Sequence, residues 1–155
     1  MDAFDKKILD IVQIDNQLST EKIADQVGLS SSAVQRRLKR LRKEKIIEAD
    51  VSIISPSATG QQLMIIVEIT LEPERPLSKA LEDFKKQMLE IPEVMQCYHV
   101  TGNADFILII GARDMLEYED MTRRLFSENP SVKRFQSSVV VSRVKSRTIV
   151  PLINE

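Results

Sequence analysis

The densest set of chemically equipped side chains lies between Ser30 and Lys45, where Arg36, Arg37, Lys39, Arg40, Arg42, Lys43 and Lys45 stand against a single acid, Glu44. Lysine and arginine neutralise phosphates, and arginine, glutamine and serine can also meet base edges through paired hydrogen bonds. Turned at about 100° per residue, Val34, Leu38 and Leu41 fall on one narrow stripe, while Ser32, Gln35, Arg36, Lys39, Arg40 and Lys43 spread over the other side. The pattern predicts a helix that packs by one face and offers a cationic, hydrogen-bonding face to a nucleic-acid duplex.

Elsewhere the chemistry is sparse. One cysteine, Cys97, forbids an intrachain disulfide and any multi-cysteine metal site, and one histidine, His99, removes most zinc and triad arrangements. His99 reads as a strand histidine satisfied by a neighbour, and Cys97 as a packing residue. No catalytic residue, metal site or cofactor is expected.

The remaining composition is that of an ordinary globular chain: 155 residues, 43% hydrophobic, 29% charged, 4 Gly and 6 Pro. That length suits one domain or two small ones. No apolar run approaches the roughly 18 residues of a membrane-spanning helix, and Asp2, Asp5, Lys6 and Lys7 stand where a secretory leader would carry a basic and then an apolar stretch. A cytoplasmic protein with no membrane partner is expected. The net charge of −1 gives no global attraction to nucleic acid, but the charge is segregated: residues 51–112 hold four basic and eight acidic side chains.

The elements that must hold the basic helix are legible upstream of it. Phe4, Ile8, Ile11 and Val12 recur at helical spacing; Leu18-Ser19-Thr20 supplies a capping signal before Ile23, Ala24 and Val27; Gly28 closes that second helix, and Ser30 caps a third running to about Lys43. Ala24, Gly28, Val34 and Leu38 have the spacing of a helix-turn-helix, with a small residue at the crossing and a turn glycine. In that motif the first turns of the second helix face base edges and the flanks meet phosphates. A plain solvated helix face is the alternative; the capped spacing, the lack of acids before Glu44 and the β-leaning run 46–54 that follows all favour duplex binding.

Beyond Ser55-Pro56-Ser57 and Gly60 the periodicity changes. Leu63 to Leu71 alternates as a strand that Pro73 and Pro76 end; Leu77, Leu81, Phe84, Met88 and Ile91 form an amphipathic helix; Val94–Val100 and Phe106–Ile110 form a hairpin around Thr101-Gly102-Asn103-Ala104. Asp114 caps a helix using Met115, Tyr118, Thr122 and Leu125, with Met121 and Phe126 flanking, that ends near Asn129-Pro130, and a last strand covers about 132–142. The order βαββαβ is ferredoxin-like, so the fold class is α+β, with domains expected at 1–52 and 61–155 and a hinge at 53–60.

Phe4-Asp5-Lys6-Lys7-Ile8-Leu9, Leu18-Ser19, Ile23 through Ser30, Val34-Gln35-Arg36-Arg37-Leu38, Ile46-Ile47, Gly102-Asn103-Ala104-Asp105-Phe106 and Val139-Val140-Val141 with Val144-Lys145 together resemble the Lrp/AsnC family, the feast/famine transcription regulators. The resemblance spans essentially the whole chain. It implies a winged helix-turn-helix joined by a hinge strand to a ferredoxin-like effector and assembly domain, binding double-stranded DNA as a homodimer that associates into octamers and answers to amino acids. The DNA-binding set expected from the helix-turn-helix reading is Ser30, Ser31, Ser32, Gln35, Arg36, Arg37, Lys39, Arg40 and Lys43, with base reading at Ser32, Gln35 and Arg36; the effector set that the resemblance implies is Thr101, Gly102, Asn103, Asp105, Ser137, Ser138, Val139 and Val140. A carboxylate at 105 suits an α-ammonium and turn amides suit an α-carboxylate, although Gly102-Asn103 and Asp105 also read as a plain hairpin turn.

Two departures stand out. Lys45 occupies a position that is usually glycine in the family, so the wing turn is expected to differ in shape or to add a phosphate contact. Ser138 and Ala104 are small where the effector pocket lies, which points to a changed or enlarged pocket. The alternatives are an enzyme resembling the siroheme decarboxylases, which are similar to this family, and an assembly module without DNA binding.

Overall fold

The computed structural model describes residues 1–72, 77–146 and 148–152. The chain divides into two compact units, one of Met1–Ile53 with the residues from Val144 onward, the other of Ile54–Arg143. The first unit holds three helices, α1 (Ala3–Val12), α2 (Thr20–Val27) and α3 (Ser31–Lys43). Ser19 caps α2 and Ser30 caps α3, as the sequence led one to expect, each with a side-chain oxygen accepting a backbone N–H, and Asp2 and Asp5 add a reciprocal capping box on α1. Ile8, Leu9, Ile23, Ala24, Val27, Val34, Leu38 and Leu41 form its core.

The turns between these helices demand left-handed backbone. Gly28 has φ 74, and the Leu29 amide donates to the Ala24 carbonyl. At the end of α3 the same geometry falls on a lysine: Lys45 has φ 58, the Ile46 amide donates to the Leu41 carbonyl and the Lys45 amide to the Arg42 carbonyl, the bond pair of a Schellman closure. The turn therefore keeps the conformation a glycine would take and carries the strain of a Cβ there.

The β-leaning run 46–54 forms no strand. Ile46 and Ile47 are consumed by the Schellman closure, and Val51, Ile53 and Ile54 are 70%, 79% and 62% exposed, paired with no strand among the described residues. A short 3-10 turn, Pro56–Thr59, follows. The residues after Val144 return to the first unit: the Gln13 side-chain amide donates to the Val150 carbonyl at 3.1 Å and accepts its N–H at 2.9 Å, and Leu152 packs on the helical core. The expected division kept 61–155 together; these contacts group the residues beyond Val144 with the helices, a long-range pairing that local sequence pattern cannot signal.

The second unit is a four-stranded antiparallel sheet, order β2-β3-β1-β4, from β1 (Leu63–Leu71), β2 (Val94–His99), β3 (Phe106–Ala112) and β4 (Val132–Val139), with α4 (Leu77–Leu89) and α5 (Met115–Thr122) completing βαββαβ. Ile65, Val67, Ile69 and Leu71 of β1 and Phe106, Leu108 and Ile110 of β3 pack against Phe84, Met88, Tyr118 and Met121 from the helices. Expected strand ends at Pro73 and Pro76, and the side chain of Leu77, lie outside the described residues. The last helix differs in part from expectation: Tyr118 and Leu125 are buried as expected, with the flanking Met121 and Phe126 beside them, but Met115 is 53% exposed, and a π turn, Arg123–Ser127, follows α5. An i→i+5 turn rotates the later residues relative to an α-helical stripe. Cys97 is exposed on the edge strand β2 rather than packed.

The two left-handed turns make opposite predictions. Gly28→Ala adds a Cβ at φ 74 and is expected to lower unfolding free energy by roughly 1 kcal/mol, whereas Lys45→Gly relieves the same strain and should raise it by up to about 1 kcal/mol. Denaturant titration of the two variants checks the signs.

Candidate nucleic-acid interface and effector region

The position of α3 follows from its apolar stripe. Val34 and Leu41 are fully buried and Leu38 nearly so, which turns the opposite face outward. On that face Ser32, Gln35, Arg36, Lys39 and Lys43 are exposed. The Ser30 hydroxyl accepts the Ala33 amide at 3.3 Å and lies 3.2 Å from the Ser32 hydroxyl, so Ser30 is first a helix cap; Ser31 is half-buried.

Two of the sequence-predicted cations have partners within the protein. Arg37, 21% exposed, donates to Asp2 at 2.8 Å and Asp5 at 2.7 Å and lies 5.6 Å over the Phe4 ring. Arg40 donates to Asp5 at 2.5 Å. Arg42, on a third flank, meets Asp50 in a two-pronged pair at 2.8 and 3.4 Å. On a helical wheel Arg37 falls about 60° from the buried stripe, which sets it beside α1 rather than on the outer face. Asp5 is 1% exposed. Burial pushes its carboxyl up, but hydrogen bonds from the Asp2 amide, Arg37 and Arg40 together outweigh that and hold it below the usual carboxylate range. The same contacts raise Arg37. Asp5 is the residue that reading the basic run alone missed; the signal available was its place in the capping box, three residues from Asp2.

In the second unit, the predicted effector residues fall into two separated groups. Thr101, Gly102 and Asn103 form an exposed turn in which Gly102 has φ 124. The Asp105 amide donates to the Ile69 carbonyl, and its carboxylate accepts the Leu71 amide at 2.7 Å, closing the end of β1. Ser137, Ser138 and Val139 sit farther along β1, opposite Val67, Ile66 and Ile65, and the Val140 amide donates to the Met64 carbonyl. From Leu71 to Ile66 is about 16 Å of strand. Ser137 and Ser138 also point to opposite faces: Ser137 lies 2.5 Å from the Tyr118 hydroxyl on the helix-covered face, and Ser138 shares the other face with Ile66. The unit's own small cavity, about 180 Å³ and lined by Met64, Met95, Gly111, Val140 and Arg143 among others, touches the predicted set only at Val140. His99 lies against the Phe106 ring at 5.2 Å.

Among the described residues no helix is long and apolar enough to cross a membrane, and no group of three His, Cys, Asp or Glu is placed to hold a metal. A capped helix-turn-helix with an outward cationic face, carried on the same chain as a ferredoxin-like unit, defines a two-domain DNA-binding regulator. Residues 1–42 match the AsnC-type helix-turn-helix domain and residues 64–150 the Lrp/AsnC ligand binding domain. The chain belongs to the Lrp/AsnC family of transcriptional regulators, and its partner is DNA. It is 50% identical to an uncharacterized HTH-type transcriptional regulator of Sinorhizobium fredii, covering 98% of this chain and 89% of that one. It is 30% identical to the leucine-responsive regulatory protein of Haemophilus influenzae over 98% and 90%. A transcriptional regulator of Neisseria meningitidis, solved in complex with L-Met, superposes with a TM-score of 0.91 at 28% identity over 97% and 96%. The family and these relatives are regulators, and the decarboxylase alternative finds no support in them.

The buried carboxylate sets a pH dependence. Because folding depresses the Asp5 carboxyl, its stabilisation is complete above the unfolded value of about 4 and is lost as pH falls through the lower folded value. Thermal melts from pH 7 downward should fall off below about pH 4, and Asp5→Asn should flatten that decline.

Proposed function

We propose that this chain regulates transcription by reading a specific duplex sequence through Ser32, Gln35 and Arg36, with Lys39, Lys43 and the helix start at Ser30 and Ser31 towards the backbone side of the groove, while Arg37 and Arg40, expected from the sequence in the same set, are engaged by Asp2 and Asp5. The observation that supports this reading is the outward face of α3, where those three hydrogen-bonding residues occupy the first turns and are exposed. Arg36 is the strongest candidate for a bidentate contact to a guanine edge.

The effector in this reading is an amino acid, the class of ligand held by the Neisseria meningitidis relative. Its site is built between protomers, from the 101–105 turn and Ser137–Val140. The separation of those two groups within a single chain supports a shared site, because neither group encloses a ligand alone. The protomers pair as a homodimer through the sheet face that carries Ile66, Ile107, Ile109 and Tyr98, opposite the face on which α4 and α5 pack, and the dimers assemble further into an octamer. The protein works in the cytoplasm.

Selection of bound fragments from genomic DNA, repeated with pooled amino acids, tests the operator and the effector together. Arg36→Ala is expected to cost about 1–3 kcal/mol of preference at one base position, and full retention of preference would remove Arg36 from the reading set. If an amino acid binds between protomers it must shift the assembly state it prefers. Sedimentation with an amino-acid panel should show one ligand that changes both association and DNA affinity; a panel with neither change counts against the effector site.

A further inference from the structure

Asp5 is the one charged residue in the buried set of the described residues, and nothing about packing alone requires an acid there. Desolvating a carboxylate is costly, and an apolar side chain of similar size would fill the same space between α1 and α3. What the acid does instead is visible in its bonds. One oxygen accepts Arg37 at 2.7 Å; the other accepts Arg40 at 2.5 Å and the Asp2 amide at 2.9 Å. Asp2 supplies a second acceptor to Arg37 at 2.8 Å. Two guanidinium groups of α3 are thereby tied to the first turn of α1, one of them also seated over Phe4.

This matters for how a duplex meets the helix. Arginine stems are long, and a guanidinium on a flank of α3 that is left untethered can swing towards a phosphate, an attraction that is the same for every base sequence. Arg37 is adjacent to Arg36, the proposed base reader, so a mobile Arg37 would add sequence-independent attraction at the point where discrimination is wanted. We infer that Asp5, assisted by Asp2, is a specificity-determining positioning residue: it withdraws Arg37 from the duplex and steers Arg40 to the α1 flank, leaving Arg36, Lys39 and Lys43 as the cations presented to DNA. This rests on the proposed reading of α3. The charge set on the helix is then smaller than the run of basic residues suggests, because Arg37, Arg40 and Arg42 each face an internal carboxylate.

The experiment compares the full chain with Asp5→Asn, which keeps the shape of the side chain and removes its charge. Binding to the selected operator and to mixed-sequence duplex is measured as a function of salt. Each arginine released to a phosphate should steepen the dependence of log affinity on log salt by about 0.9, which is roughly eightfold tighter mixed-sequence binding at 0.1 M than at a 1 M reference. The ratio of operator to mixed-sequence affinity should fall accordingly. Adding Arg37→Gln to Asp5→Asn should return the slope towards the parent value, a reversal that a purely structural role for Asp5 does not produce. If circular dichroism shows that Asp5→Asn is unfolded, Asp2→Asn replaces it; Asp2 is half-exposed, and its loss should move slope and selectivity in the same direction by less.

A folded variant whose salt slope and selectivity match the parent overturns the inference and leaves Asp5 as a packing acid. A parent chain that fails to bind duplex in low salt overturns instead the reading of α3 on which it rests.

Discussion

The seating of α3 on α1 and α2 through Val34, Leu38 and Leu41 is the constraint on which the rest of this molecule depends. Three residues at helical spacing bury one stripe, and that stripe sets which way most of the helix turns. Gln35, Arg36, Lys39 and Lys43 turn outward because the buried stripe leaves them no other direction. Arg37 and Arg42, nearer the stripe, turn to the protein's own acids. The orientation of the helix is thus a packing result, and its capacity to meet a duplex is a consequence of that packing.

Hydrogen bonding closes the same unit at its ends. Ser19 and Ser30 satisfy the first amides of their helices, the Asp2–Asp5 box satisfies α1, and left-handed turns at Gly28 and Lys45 satisfy the last carbonyls of α2 and α3. With the helix ends closed, short helices that would be marginal alone are held at defined lengths. The Asp2–Asp5 box has a double use: the carboxylates that cap α1 are also those that hold Arg37 and Arg40. Local capping and long-range ion pairing are therefore one structure.

The ferredoxin-like unit is organised by a different asymmetry. One sheet face is sealed by α4 and α5 over Ile65, Val67, Phe106 and Leu108; the other carries Ile66, Ile107, Ile109 and Tyr98, away from α4 and α5. Asp105 and the 102–103 turn close one end of β1, and Val139–Val140 run along the other. The chain crosses between its two units twice, once near Ile53 and again near Arg143, because the residues after Val144 rejoin the helices through Gln13 and Leu152.

The starts of α2, α3 and α5, the α3 stripe, the βαββαβ order, the apolar face of β1 and the burial of β3 were legible in the sequence, since these capping bonds join residues three apart and amphipathic periods repeat within one element. What the sequence by itself left open were pairings between distant residues. That Arg37 and Arg40 belong to Asp5, that Gln13 holds Val150, that 46–54 forms no strand within the single chain and that Ser137 and Ser138 diverge from the 101–105 turn are decided by where separate elements come to rest. Charge type and local period are written in neighbouring letters; the partner of a charge is set by packing across the fold, and tertiary structure alone brings those letters together.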